Sequence, residues 1–385
     1  MASNDRQGER YDVIVVGLGA FGSATAYWGA RRGLRVLGLE RFELGHPRGA
    51  SEDHSRIIRR SYASADYVRF TREAFATWNE VAAEAGEQLI TMTGGLDLFP
   101  ADPWDDPQDY RKAMEIEAVA YEVLDAAELT RRWPVWRVSD DVTAIYQEDA
   151  GLLAASRANE AHRRLALARG ADLRAGTPVL GITEDRGPGF AVETTDGVFR
   201  GAAIVVAADS WTNEVLAPFG VSLPLRILQE QVTYLDAADP AAFGPSAFPV
   251  WIWHSTPPIY GLPAFGQPGP KVAIHGGGPE ITHESRTFEP DADYAATVER
   301  FVRDHLPTAY GPPLEVRTCI YALTPDEDFV LDLVPGVERA AFGLGTGHGF
   351  KFASVFGRTL IELACDGTSA WRLPAFAADR AALAT

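Results

Sequence analysis

The sequence predicts an α/β fold of two domains, one of them a Rossmann-like dinucleotide-binding unit and the other built on a mixed sheet. Three features lead there. The apolar run Tyr11-Asp-Val-Ile-Val-Val16 opens directly into Gly17-Leu-Gly-Ala-Phe-Gly22. A second buried-strand run, Ala203-Ile-Val-Val-Ala207, lies far along the chain. Between and beyond these, 86–150 and 220–318 are richer in Pro, Trp and alternating residue types, as in Leu96-Asp-Leu-Phe and the aliphatic–aromatic Val250-Trp-Ile-Trp. A continuous apolar run suits a parallel strand covered on both faces, whereas alternation suits an antiparallel sheet. The chain has 385 residues, and at about 150 residues per domain that length supports two or three domains.

In chain order, Tyr11–Val16 reads as a strand, and a helix follows through Arg32, which Gly33 can stop in a left-handed conformation. Arg35–Leu39 reads as the next strand, ending at Glu40. Ala155–Arg169 has helical periodicity, with Ala158, Ala161, Leu165 and Ala168 on one stripe. Phe190–Thr194 and Val198–Arg200 flank Asp196-Gly197, a hairpin signal. A helix is expected over about Ser354–Cys365. The dinucleotide domain is therefore expected from three pieces, 1–85, 151–219 and 319–385, and the substrate domain from 86–150 and 220–318.

Gly17, Gly19 and Gly22 form G-x-G-x-x-G between a strand and a helix. The first glycine permits a tight turn, the second lets the backbone approach a pyrophosphate, and the third lets helix and strand pack closely. Glu40 lies at the end of the following strand, where a carboxylate can accept ribose hydroxyls. An acid there disfavours a 2′-phosphate, and the motif alone does not choose between NAD and FAD.

Composition removes other classes. Hydrophobic residues make up 46% and charged residues 23%, with a net charge of -18. Such a surface repels phosphates, which argues against nucleic acid or an anionic membrane as partner. The first ten residues lack the apolar core of a signal peptide, and no apolar run reaches the roughly 20 residues of a membrane span. A cytoplasmic protein is the default expectation. Cys319 and Cys365 are too few for a disulfide framework or a zinc cluster, no histidine spacing suggests a metal, and nothing favours a disulfide between them. Only Lys112, Lys271 and Lys351 are lysines.

Further motifs follow in order. Glu40-Arg-Phe-Glu-Leu-Gly-His-Pro-Arg-Gly-Ala-Ser51 runs on to Ser55-Arg-Ile-Ile-Arg59-Arg-Ser-Tyr62, and later come Cys319-Ile-Tyr321, Asp326-Glu-Asp-Phe and Gly345-Thr-Gly-His-Gly-Phe-Lys-Phe352. Together they resemble the monomeric sarcosine oxidase and N-methyltryptophan oxidase family of flavin-dependent secondary-amine oxidases, within the D-amino-acid oxidase superfamily. The resemblance spans 11–370. It implies a glutathione-reductase-like FAD domain and oxidation of an N-methyl or cyclic amino acid to an imine, with O2 reduced to hydrogen peroxide. Pipecolate-type and fructosyl-amino-acid oxidases, and a flavin dehydrogenase with another acceptor, are the alternatives.

Residue by residue, the resemblance makes Cys319 the carrier of FAD through a thioether; by itself it reads as a buried apolar filler. It places Lys271 beside the flavin, where a fixed cation stabilises the charge that develops on oxygen. Arg59 and Lys351 become clamps for the substrate carboxylate, Arg56 a partner of the flavin ring, and His275 a pocket imidazole. Tyr260 and Tyr321 become linings of the substrate cavity; without the resemblance they read as core, and Arg56 and Arg59 as a solvated helix face. Cofactor contacts are expected from Gly17, Gly19, Ala20, Phe21, Gly22, Glu40, Arg41, Ser51, Ser55, Arg56, Val179, Trp211, Cys319, Gly347, Gly349 and Lys351. His348 is expected in a structural or a flavin-contact role alike. Partners are then a small carboxylate-bearing amine and O2, and the family name suggests a monomer. Three departures stand out. Glu52 replaces a histidine that approaches the flavin, the loop after Tyr62 lacks an expected acid, and Trp251 is expected to reshape the substrate wall. His254 shows no pattern.

Overall fold

The computed structural model describes residues 10–185 and 188–384, so the polar N-terminal stretch up to residue 9 lies outside the described residues. Strand Arg10–Val16 is the centre of the first sheet, with Val13, Ile14 and Val15 fully buried. Strands Val36–Leu39 and Gly197–Val206 flank it in parallel, and Asp172–Arg174 and Ala340–Leu344 extend the parallel set on either side. Val330–Leu333 closes one edge antiparallel. Beyond the parallel part, Gly197–Val206 turns back on Phe190–Thr194 through the expected hairpin, with Thr194 opposite Gly197, and Val179–Glu184 completes the meander.

Helices Ala20–Arg31, Ala155–Ala168 and Ala353–Asp366 pack on this sheet. In the second of them Ala158, Ala161 and Leu165 are buried as expected, but Ala168 is exposed, and Ala155 and His162 complete the buried stripe. Gly33 has φ +80°, the left-handed conformation expected after the first helix.

The second sheet has eight strands in the spatial order Pro313–Leu323, Arg226–Leu235, Lys271–Ile274, Ile259–Leu262, Val250–Trp253, Gly95–Phe99, Thr143–Gln147, Glu122–Leu124. All neighbours are antiparallel except Val250–Trp253 with Gly95–Phe99, which makes the sheet mixed. Pro313–Leu323 pairs along its length with Arg226–Leu235, so the border drawn at 319 falls inside a strand of this sheet. A three-stranded sheet, Ser55–Ile58, Gly151–Ala154 and Ile90–Met92, lies apart from both. Arg56 therefore sits in a strand, with Arg59 just past its end, and the helix-face alternative for this pair falls away.

The expectation for Trp251 is also corrected. Its indole is 1% exposed and packs on Trp136 and Phe301, with ring centroids 5.1 and 5.5 Å away. Side chains alternate along a strand, so Trp251 and Trp253 enter the domain core and Ile252 faces the cavity instead. Full burial of a large apolar side chain contributes about 1.5–3 kcal/mol, so this residue anchors the domain.

Candidate active site

The glycine turn has the geometry its sequence demands. Gly17 has φ +89°, and a Cβ there would lie 2.5 Å from the Ala207 carbonyl oxygen. A Cβ on Gly22 would lie 1.7 Å from the Gly17 carbonyl oxygen, so Gly22 serves close packing and does not line the groove. Gly19 is the N-cap of helix Ala20–Arg31 and the first turn holds no acidic residue, which leaves amides available to an anion. The Ala20 amide donates to Ser51 Oγ at 2.9 Å. Glu40 accepts from the Leu18 amide (2.8 Å) and the Phe42 amide (3.0 Å). Burial pushes its carboxyl up, but His46 and these amides prevail and hold it below the usual range.

A continuous groove starts at this turn. Its first part is lined by Gly17, Gly19, Glu40, Arg41, Ser51, Val179 and Trp211, with Glu52 beside Gly45 and 3.8 Å from Arg163. Glu52 thus faces the nucleotide end. Gly19 and Ser51 also line the middle part, together with Ala20, Phe21, Cys319, Gly347 and Gly349. Arg56, Tyr260 and Tyr321 are shared between the middle and a wide end of about 320 Å³. That end holds Arg59, Lys271, His275, His348 and Lys351. Ser55 does not line the groove; it is buried, and its carbonyl accepts from Lys271 Nζ at 2.5 Å.

The wide end is less cationic than four basic side chains imply, because two buried aspartates oppose three of them. Asp53 Oδ2 lies 2.9 Å from Lys271 Nζ and 2.5 Å from Arg56 Nη1, and its Oδ1 accepts from the Tyr234 hydroxyl at 2.5 Å. Burial raises the Asp53 carboxyl, yet Lys271 and Arg56 hold it well below its ordinary value. Burial pulls Lys271 down to about 8 against the opposing pull of Asp53. Asp97 Oδ1 lies 2.8 Å from Arg59 Nη1 and 2.9 Å from His254 Nε2. Among the described residues Lys351 has no carboxylate partner. Its Nζ donates to the His348 carbonyl at 2.8 Å, and burial, then Arg59 and Arg56, push its ammonium far down. Burial and the same cations depress His275 to about 4, so it is a neutral imidazole at pH 7.

Asp53, Asp97 and His254 were missed in the sequence reading, as was Asp209. Asp209 has φ +49°, lines the first and middle parts of the groove, and keeps Oδ2 buried without a partner among the described residues. Burial raises it to about 6. Asp97 stands out as a charge within Leu96-Asp-Leu-Phe, but alternation there reads as a solvent-facing position and carries no sign of burial.

FAD fits these residues: a helix terminus whose Gly19 N-cap offers no side chain for a pyrophosphate, Glu40 for a ribose, and the Asp209 oxygen that has no partner among the described residues, beside the groove between its two ends. Cys319 lines the middle part, at the border of the wide end, where burial raises its thiol to about 12. Among the described residues no group of histidine, cysteine and acidic side chains could hold a metal ion, and no helix is long and apolar enough to cross a membrane.

A parallel sheet with a glycine turn, joined by one groove to a buried site of paired charges, defines a dinucleotide-binding oxidoreductase. Comparison with known proteins makes this specific. The chain belongs to the FAD dependent oxidoreductase family, whose model matches residues 12–363. It is 34% identical to the peroxisomal sarcosine oxidase of Homo sapiens and 31% identical to a monomeric sarcosine oxidase of Bacillus sp. (strain NS-129), each over 97% of both chains. Its fold matches NikD, described as an unusual amino acid oxidase essential for nikkomycin biosynthesis, with a TM-score of 0.85 and 28% identity over 96% of this chain and 97% of that one.

Proposed function

We propose that this chain oxidises a small secondary amine bearing a carboxylate, an N-methyl or cyclic amino acid, to an imine, and that O2 is the electron acceptor. The observation that carries the reading is the wide end of the groove, where Arg59, Lys351 and neutral His275 surround a cavity that adjoins Cys319. Arg59 is held at Nη1 by Asp97 and lines the cavity, so a fixed guanidinium stands where a carboxylate would bind. Lys351 adds a second donor, whose charged form burial disfavours and an arriving anion favours. Neutral His275 can accept a hydrogen bond from the amine and keep it oriented. Bound FAD supplies the acceptor for the hydride equivalent lost from the carbon next to nitrogen. Lys271, locked by Asp53 and the Ser55 carbonyl, places a cation where oxygen would be reduced. The sarcosine oxidases among the relatives support this substrate class.

Cys319 carries FAD covalently in this reading, and acid precipitation of the holoenzyme is expected to leave the yellow colour in the pellet. The test is anaerobic mixing of holoenzyme with N-methyl and cyclic amino acids and with their amides. Bleaching of flavin absorbance by the acids and not the amides is expected. Equal bleaching by both would contradict the carboxylate clamp, and no bleaching by any acid would contradict amine oxidation.

A further inference from the structure

We propose that Asp97 and His254 are positioning residues for Arg59, and that the charge on His254 sets how tightly the cavity holds a carboxylate. The proposal rests on the carboxylate-clamp reading above and extends it to regulation of the same site.

Asp97 lies in strand Gly95–Phe99, every residue of which is buried. An ionised carboxylate in such a place is strongly destabilising unless fixed cations match it. Two do, at one oxygen: Arg59 Nη1 at 2.8 Å and His254 Nε2 at 2.9 Å. On its other side His254 Nδ1 lies 3.4 Å from Asp105 Oδ2, at ion-pair distance but outside hydrogen-bond geometry. Asp105 Oδ2 also accepts from the Tyr110 hydroxyl at 2.7 Å.

The imidazole is held by its surroundings. It stacks on Phe99, with centroids 4.4 Å apart and planes 8° apart, and meets the edge of Tyr110 at 5.1 Å. Its own amide donates to Leu98, and its carbonyl accepts from Trp104, beside Asp105. The charged groups facing it are Asp97 on the strand, Asp105 on the following loop and Arg59. Burial and Arg59 oppose its protonation, but the two aspartates prevail and raise its basicity above the ordinary histidine range.

Arg59 is oriented by the same contacts. Its guanidinium carbon lies 4.5 Å from the Tyr62 ring centroid, Nη1 is taken by Asp97, and Nε has no partner. Arg59, Asp105, Tyr110 and His254 all line the wide end of the groove. With His254 protonated, Asp97 is shared between two cations, and Arg59 keeps more of its field for the cavity. Once His254 loses its proton, Asp97 neutralises Arg59 alone and Asp105 stands uncompensated. A substrate carboxylate is then held less tightly.

The test titrates acetate into the holoenzyme from pH 6 to pH 9 and reads the dissociation constant from flavin absorbance. Wild type is expected to weaken over this range about fivefold more than His254→Gln, the effect of one nearby charge at a partly screened site. Lys351 is present in both proteins, so the difference between them isolates His254. Asp105→Asn, a change at a half-exposed side chain, is expected to move the step to lower pH and decides the matter if His254→Gln does not fold. An equal pH dependence in wild type and His254→Gln, or an unmoved step in Asp105→Asn, overturns the proposal and leaves the clamp standing. No acetate binding by wild type at any pH overturns the clamp and the proposal together.

Discussion

Lys271 is an ammonium group 1% exposed whose neighbours are Asp53 at 2.9 Å and one backbone carbonyl. Because burial brings it down to about 8, it carries its charge at pH 7 and loses it above pH 8. Flavin reoxidation, followed by stopped flow after anaerobic reduction, is expected to slow as pH rises through 8. Lys271→Met is expected to slow reoxidation by about 100-fold, the scale of one removed electrostatic stabiliser, and to leave flavin reduction nearly unchanged. Equal slowing of both half-reactions would argue against this role. At this scale the cations were legible in the sequence, since the basic residues fall within recognisable motifs. Their aspartates were not. Asp97 stands in Leu96-Asp-Leu-Phe, where alternation marks it as solvent-facing, yet both faces of that strand are covered. Only the fold tells a buried ion pair from a wet surface there.

At the scale of elements, the β-turn-α unit at 10–31 follows from local rules, and its glycines act through contact distances. Gly22→Ala is expected to destabilise the protein and give it without bound flavin, because the new methyl would meet the Gly17 carbonyl. Flavin absorbance per chain and a thermal melt check this; a yellow, fully stable variant would contradict it. Helix Ala155–Ala168 carries a second, pH-dependent prediction. His162 is fully buried against Trp78 and Tyr27, and burial lowers it from 6.5 to about 3. Below pH 6.5 the unfolded chain takes up a proton that the folded chain refuses, so stability falls with pH down to about 3, by about 1.4 kcal/mol per unit. Denaturant unfolding between pH 7 and pH 4 should show this slope, and His162→Leu should reduce it. What local rules do not supply is pairing between distant segments. Trp251 looks like a wall of the substrate cavity until the parallel pairing of Val250–Trp253 with Gly95–Phe99 fixes which face is core.

Across the whole molecule, the groove is assembled from segments around residues 17–51, 207–211 and 319–351, which come from both large sheets. A ligand spanning them binds the folded chain and not the unfolded one. A reversibly bound FAD at 100 times its dissociation constant stabilises such a fold by about 2.7 kcal/mol. Cys319→Ser makes that gain reversible: its melting temperature is expected to rise with added FAD, and acid precipitation to release all its colour. If the variant's pellet stays yellow, another residue carries the link. The net charge of -18 describes the surface and not this interior, where Arg56, Arg59 and Lys271 are matched by two aspartates and Lys351 is left for a substrate anion to pair.

On the proposed reading, this interior couples oxidation of a carboxylate-bearing secondary amine to reduction of oxygen. A peroxide-coupled screen of the holoenzyme against sarcosine, other N-methyl amino acids, proline, pipecolate and fructosyl amino acids tests it most directly, with oxygen uptake read in parallel. Hydrogen peroxide formed in step with oxygen consumed, with at least one of these acids, is the predicted result. Neither peroxide nor oxygen uptake with any of them would contradict the account.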